Sequence, residues 1–387
     1  MNKVFKVIWS DARSAYVVVS EIAKNHGSKS CSTKKLLAML IAAGVMTCAS
    51  VAPAMAAPTV DDSAKVNVGK KAEVAVADNA KVNVDEKIAI GIGANAKGAY
   101  SVAIGNNAVV TGLGGVAVGH NSEGAENSVA LGSNVKAAGF NSVAIGNSAK
   151  TSDLHSIAIG YNSESSKASA IAIGNEAKAT NQNSFAFGQK ANASGESSVA
   201  FGNGSKATHL IAIAIGSGAE ATDEETIAIG GSVKATSQYS VAIGNHIDNT
   251  GEKAVAIGQQ TMAYGNHSIA VGAASQAKYT GATAIGTFAT ATQEGSIALG
   301  YNSHADREAG IKGYDPLTGK ESTLTSLAWQ SGKGALSIGN AGGTRQIINV
   351  AAGSQDTDAV NVAQLKKVAV EAGKHTTLIA GDNVTLL

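Results

Sequence analysis

Six histidines, at 120, 155, 209, 246, 267 and 304, and a chain rich in glycine are the first places to look for chemistry. Gathered imidazoles hold metals or move protons, and glycine loops cradle phosphates. A metal ladder needs its ligands at one recurring position in successive units, but these six histidines are scattered over five positions of the repeat described below, and the two that share one, His155 and His267, are eight units apart. Gly91-Ile92-Gly93 lacks the third glycine and the following helix of a dinucleotide loop, and no Walker motif follows any strand. The calcium-binding nonapeptide G-G-x-G-x-D is absent as well. Cys31 and Cys48 are the only cysteines, both within the first 56 residues, so the remainder has no thiolate chemistry and no disulfide. The pattern points to a chain that is not an enzyme and carries no cofactor or metal.

What those glycines do is punctuate a repeat. A tetrad of branched-Ala-branched-Gly recurs with its glycine at 91, 105, 119, 132, 146 and onward to 300, each interval being 14 except one of 13. Alternation with period two inside each tetrad is a strand signal. In Val143-Ala144-Ile145-Gly146 it sends Val143 and Ile145 to one face and Ala144 to the other. The expected roll core is then the branched set, represented by Val143, Ile145, Ile171, Ile173, Phe185 and Phe187. The alanine face, represented by Ala144, Ala172, Ala186, Ala228, Ala242 and Ala256, is expected to lie against a neighbouring subunit.

A second, weaker alternation follows each turn, as in Ala149-Lys150-Thr151 and Ala177-Lys178-Ala179, with the middle residue expected to face water. Each unit is therefore two short strands and two turns, and stacked units make a parallel solenoid. Sixteen coils at about 4.8 Å give a rod of roughly 75 Å. Glycine reaches 45 residues, proline only 3, and aromatics 4 %. Such a chain lacks the bulky side chains of a wide core. A monomer with so thin an interior is marginal, and association is the remedy; the residues alone leave dimer and trimer open.

The net charge of +1 hides a division. Residues 1–56 hold seven basic and two acidic side chains, leaving 23 basic and 27 acidic in 57–387. A mildly acidic body without a basic cluster gives no support for nucleic-acid binding. Within the basic leader, Lys34-Lys35, the apolar run Leu36 to Val45 and Ala54-Met55-Ala56 have the order of a secretory signal, with cleavage expected after Ala56. Upstream, Val7-Ile8-Trp9-Ser10 and Val17-Val18-Val19-Ser20-Glu21-Ile22-Ala23 resemble the extended signal region of very large Gram-negative autotransporters.

The serine-led tetrad Asn141-Ser142-Val143-Ala144-Ile145-Gly146 resembles the head repeat of YadA-like trimeric autotransporter adhesins. That resemblance implies an all-β fold: a left-handed parallel β-roll of 14-residue coils, trimeric, followed by a neck and the start of a coiled-coil stalk. It also implies a domain map. Residues 1–56 are the extended signal peptide (1–33 the extension, 34–56 the conventional signal). Residues 57–87 are a mobile N-terminal segment or irregular first coils, and 88–310 are the head repeats. A head insertion over 311–335 has its turn at Asp315-Pro316 and Gly319, with Trp329 expected to pack on the roll or a neighbouring chain. The last coil and neck occupy 336–367, and 368–387 begin a stalk that stops short, as in a fragment or an unanchored product.

In the neck, Asp358 is expected as an N-cap, Leu365 on a helical stripe, and Arg345 paired with Asp356 or Asp358 across chains. The implied function is adhesion at the cell surface of a Gram-negative bacterium by a homotrimer exported through its signal. Partners would be host extracellular-matrix or cell-surface proteins, or sister molecules, met at exposed positions such as Lys150, Lys178, Lys206 and Lys234. A spacer without ligand is the alternative. A hexapeptide acyltransferase is excluded by period, since 14 is not a multiple of six, and an ice-binding array by the absence of a threonine ladder.

Overall fold

The computed structural model describes residues 86–374 and, before them, the backbone of the strands Phe5–Ser10, Ala15–Ser20, Val66–Val68, Ala72–Val76 and Lys81–Val82. The chain divides into two units, Met1–Asp61 and Asp62–Leu387. In the first, Phe5–Ser10 and Ala15–Ser20 form an antiparallel pair. The signal segment and its cleavage site at Ala56 lie outside the described residues.

The second unit is a parallel β-solenoid. Each coil contributes a strand of three residues, such as Val143–Ile145, and one of two, such as Lys150–Thr151. The first kind stacks in parallel from Ala72–Val76 through Ile297–Leu299, alanine opposite alanine, as Ala144 faces Ala130 and Ala158. The second kind stacks from Lys81–Val82 to Asp248–Asn249 and resumes from Met262–Ala263 to His304–Ala305. At the break, the buried amide of Asn249 donates to the carbonyls of Val241 (2.9 Å) and Ala254 (3.2 Å). Val66–Val68 runs antiparallel to Ala72–Val76 and so closes the N-terminal edge of the first sheet.

Two left-handed residues per coil turn the corners. One stands two places after the glycine, as Asn162 (φ 51°), and one five places before it, as Asn141 (φ 54°). Asparagine is the non-glycine residue most at ease there. The serine before the tetrad is buried and satisfied locally: Ser142 Oγ donates to the Gly139 carbonyl (2.8 Å), and Ser198 Oγ to that of Gly195 (2.7 Å).

The orientation of the tetrad is the reverse of the sequence expectation. Ala144, Ala172, Ala186, Ala228, Ala242 and Ala256 are fully buried inside the single chain and form its core. Val143, Ile145, Ile171, Ile173 and Phe185 are only half-buried, Phe187 is 39 % exposed, and all point outward. The reason is steric. Two strands and two turns in 14 residues bring the sheets so close that a methyl group fills the space between them. The largest fully buried side chains are a few Val and one Ile, Ile247, on the second sheet.

After His304–Ala305 the chain leaves the roll. Tyr314–Asp315 and Lys320–Glu321 form a hairpin, and Leu336–Ser337 returns to pair with Ile297–Leu299. The Asp315 carboxylate accepts from Leu317 N (2.9 Å) and Thr318 Oγ1 (3.0 Å), giving the turn expected at Asp315-Pro316 and Gly319. Trp329 is half-buried within this excursion, its carbonyl accepting from Gly313 N.

Candidate functional site

The roll presents two outward faces of different chemistry. On the first sheet, the branched residues stand in two parallel columns. One runs through Val143, Ile157, Ile171 and Phe185; the other runs through Ile145, Ile159, Ile173 and Phe187. The parallel register makes the columns continuous from coil to coil. Exposure along the second column stays high, with Phe201 at 45 % and Leu299 at 46 %. The rings of Phe187 and Phe201 stack at 4.8 Å, nearly parallel at 6°. The second column is apolar throughout and the first is interrupted only at Thr283; an apolar stripe of this length is the kind of surface that marks a protein interface.

The second sheet is polar. Its outward positions from Lys136 to Asp248 read Lys136, Lys150, Glu164, Lys178, Asn192, Lys206, Glu220, Lys234, Asp248. The four lysines singled out from sequence, Lys150, Lys178, Lys206 and Lys234, are all exposed there. Ion pairs run along the column: Lys136–Glu123 (2.8 Å), Lys206–Glu220 (2.8 Å) and Lys234–Glu220 (3.9 Å). Lys150, Glu164, Lys178 and Lys206, with Lys190 from the adjoining turn, line an open groove of about 480 Å³. Among the described residues no group of His, Cys, Asp or Glu is placed to hold a metal ion.

Beyond the last coil, Arg345 closes the end of the roll. Its guanidinium donates to the carbonyls of Ile338 and Tyr301 (the latter at 2.6 Å) and covers Gly300. Within the chain its partners are therefore carbonyls, not Asp356 or Asp358. The N-cap also lies elsewhere than expected. Asn361 caps the helix Val362–Lys374: its Oδ1 accepts from Gln364 N (3.1 Å), while Gln364 Oε1 accepts from Asn361 N (3.2 Å). This is a capping box built on asparagine and glutamine.

Asp358 instead shapes the preceding loop, its carboxylate accepting from the backbone of Ser354 (2.8 Å) and Gln355 (3.0 Å) and from the Ser354 hydroxyl (3.2 Å). Those bonds hold its pKa below the ordinary aspartate value, the Ser354 backbone contact contributing most. The loop contact is therefore present at neutral pH and is lost as pH falls through that depressed value. Asp356 is exposed. Leu365 lies on an exposed stripe with Val362 and Val368, 61 % to 66 % accessible, which a lone helix leaves uncovered.

The sequence reading missed the facing of the tetrad, the asparagine cap and the break at Asn249. The first had a signal available: alanine never varies across the sixteen regular tetrads, whereas its branched neighbours exchange among Val, Ile, Leu, Phe and Thr. A position that admits one size is the interior.

Comparison with known proteins gives three family matches along the chain. Residues 1–51 match the family described as the extended signal peptide of the type V secretion system. Repeats of the YadA head domain match in segments between residues 88 and 303, and residues 346–386 match the coiled stalk of trimeric autotransporter adhesins. The stalk match begins inside the expected neck. The chain is similar to the autotransporter adhesin BadA of Bartonella henselae, 50 % identical over 91 residues, which is 22 % of this chain and 3 % of that protein. It is also similar to the autotransporter adhesin EhaG of Escherichia coli O157:H7, 53 % identical over 55 residues, 14 % of this chain and 4 % of the relative. The matched stretches thus span only a few per cent of these curated relatives. Among solved structures, the crystal structure of the collagen-binding domain of the Yersinia adhesin YadA aligns at 22 % identity. It covers 73 % of this chain and 97 % of that one, with a TM-score of 0.23.

Proposed function

We propose that this chain, which belongs to the trimeric autotransporter adhesin family, is an exported adhesive head in which three copies associate through the branched columns of the first sheet. The observation that carries this reading is the apolar stripe itself, interrupted only at Thr283. It is too long and too exposed to remain in water, and its parallel register lets identical chains lie side by side. The uncovered Val362, Leu365 and Val368 of the terminal helix need the same partners. Arg345 then fixes the end of each roll where the broad head narrows. Export would use the N-terminal signal, with cleavage after Ala56, toward the bacterial surface.

With the first sheets turned inward, the second sheets of three chains face solvent. Their repeated Lys, Glu and Asn positions offer many weak, equivalent contacts to extracellular-matrix or cell-surface proteins and to sister heads. Such contacts gain strength by multiplicity, so no single residue need bind tightly. Retention on a panel of immobilised matrix proteins tests this. The assembled chain is expected to bind at least about tenfold more tightly than a monomeric variant, since avidity gains of 10² or more are usual. Equal retention of both would reject a multivalent mechanism.

A further inference from the structure

The break in the second sheet is the weakest level of the roll. We propose that the head is jointed between Asn249 and Thr261, where the second sheet parts while the first sheet holds, so that the coils on either side open as separate blocks. The inference does not depend on how many chains assemble, because the joint is built within one chain.

On either side of this level, the outward amides of the second sheet bond to the next coil. Before it, Lys234 N donates to the Ile247 carbonyl (2.8 Å) and Thr236 N to that of Asn249 (3.1 Å). After it, Met262 N donates to Ser275 (2.9 Å) and Tyr264 N to Ala277 (3.0 Å). Asp248 and Thr250 hold the corresponding places, and neither amide bonds to the carbonyl of Thr261 or Ala263. Only Gly251 N bridges the gap, donating to Ala263 (3.1 Å). The second sheet is split in consequence into thirteen strands before the break and four after it.

The side chain at the break explains the loss. Asn249 stands where the neighbouring coils have Ala235 and Ala263. Its amide turns across the core to the carbonyls of Val241 and Ala254, tying the second sheet to the first instead of to the next coil. Its Oδ1 is buried without a partner, and so are the hydroxyls of Ser240 and Ser268. Among the described residues these three are the buried side-chain atoms left unpaired, and they fall in three successive coils around the break. At the position of Ser240 and Ser268, Ser142 and Ser198 are bonded. An orphaned polar atom destabilises the closed form and regains its hydrogen bonds when water enters, so opening is easiest at this level.

The first sheet does the opposite. Its strands lengthen from three residues to five at Ile227–Gly231, Val241–Asn245 and Val255–Gln259, and Gly244 and Asn245 pair with Gly258 and Gln259. A widened sheet opposite a parted one is a hinge: the roll yields on its polar side while the branched columns stay continuous. In a linear array each unit is held by its neighbours alone, so one weak level uncouples the coils before it from those after it.

Hydrogen exchange of the full chain, read by mass spectrometry in rising urea below the main unfolding transition, tests the joint. The shorter block, Met262 to Ala305, is expected to lose protection at lower urea than the block before Asn249. At intermediate urea, exchange on the two sides is expected to differ at least about tenfold. Asn249→Ala restores the alanine of the neighbouring coils and leaves the Ala254 carbonyl its bond from Val241 N, so it is expected to merge the two transitions. A single transition for the whole roll, a boundary at another coil, or transitions that stay apart in Asn249→Ala would overturn the proposal. Should that variant fail to fold, the place of the boundary in the unaltered chain decides.

Discussion

Gly174→Ala is expected to lower the stability of the roll by about 3 kcal/mol or more, among the largest effects available to a single methyl group. Gly174 has φ +140°, a region closed to side chains with a Cβ. A Cβ built there would stand 2.3 Å from the Gly188 carbonyl oxygen and 2.6 Å from its carbon. Both atoms belong to the backbone of the next coil, so no flexible side chain can yield. The glycine column recurs at every coil with the same geometry: at Gly160 the corresponding approach to Gly174 O is also 2.3 Å. Thermal or urea unfolding of the variant checks this, and an unchanged midpoint would contradict the close stacking of successive turns.

Phe187→Asp with Phe201→Asp is expected to dissociate the assembly while leaving each roll folded. The two rings are 39 % and 45 % exposed in the single chain, so carboxylates at these positions stay hydrated in a monomer. In a three-chain assembly six such charges would be enclosed without partners. An unpaired buried charge costs roughly 3–5 kcal/mol, so their sum exceeds what the neighbouring aliphatic rungs can offset. Light scattering should report single chains with an unchanged far-ultraviolet spectrum. A variant that stays oligomeric would move the interface to another face. The complementary change, Ala172→Leu, acts on the fold rather than the assembly, because Ala172 is wholly enclosed within its own chain.

That contrast shows what the residues disclose unaided and what they do not. The coil length, the two strands per coil, the outward lysines and the turn at Asp315 follow from spacing, because a 14-residue period with alternating strands admits few other arrangements. The facing of the tetrad does not follow from alternation, which is symmetric between the two sides of a strand. Hydrophobicity ranks Val143 and Ile145 above Ala144, and a hydrophobicity argument places them inside. The distance between sheets decides otherwise, and that distance comes from turns closed by left-handed residues such as Asn141 and Asn162. The branched residues are left outside with their apolar area uncovered. The helix cap was legible in part: Asn361 and Gln364 stand at capping-box spacing, yet Asp358 drew the assignment because aspartate is equally favoured as a cap. Its carboxylate turned instead to Ser354 and Gln355.

The charge order of the second sheet became meaningful only once register was known. Lys150, Glu164 and Lys178 are far apart in the chain and adjacent in the column. Read singly, each is a solvated side chain; read as a column from Lys150 to Asp248, lysine alternates with acid or amide.

The central claim is that the branched columns are covered by identical chains. Its most direct test is the mass in solution of the chain beginning at Ala57, measured by light scattering at micromolar concentration. The apolar stripe and the uncovered helix predict association, and membership of the trimeric family sets the expected value at three times the chain mass. A folded species of single-chain mass would show that the stripe tolerates water and would contradict the assembly on which the adhesive reading depends.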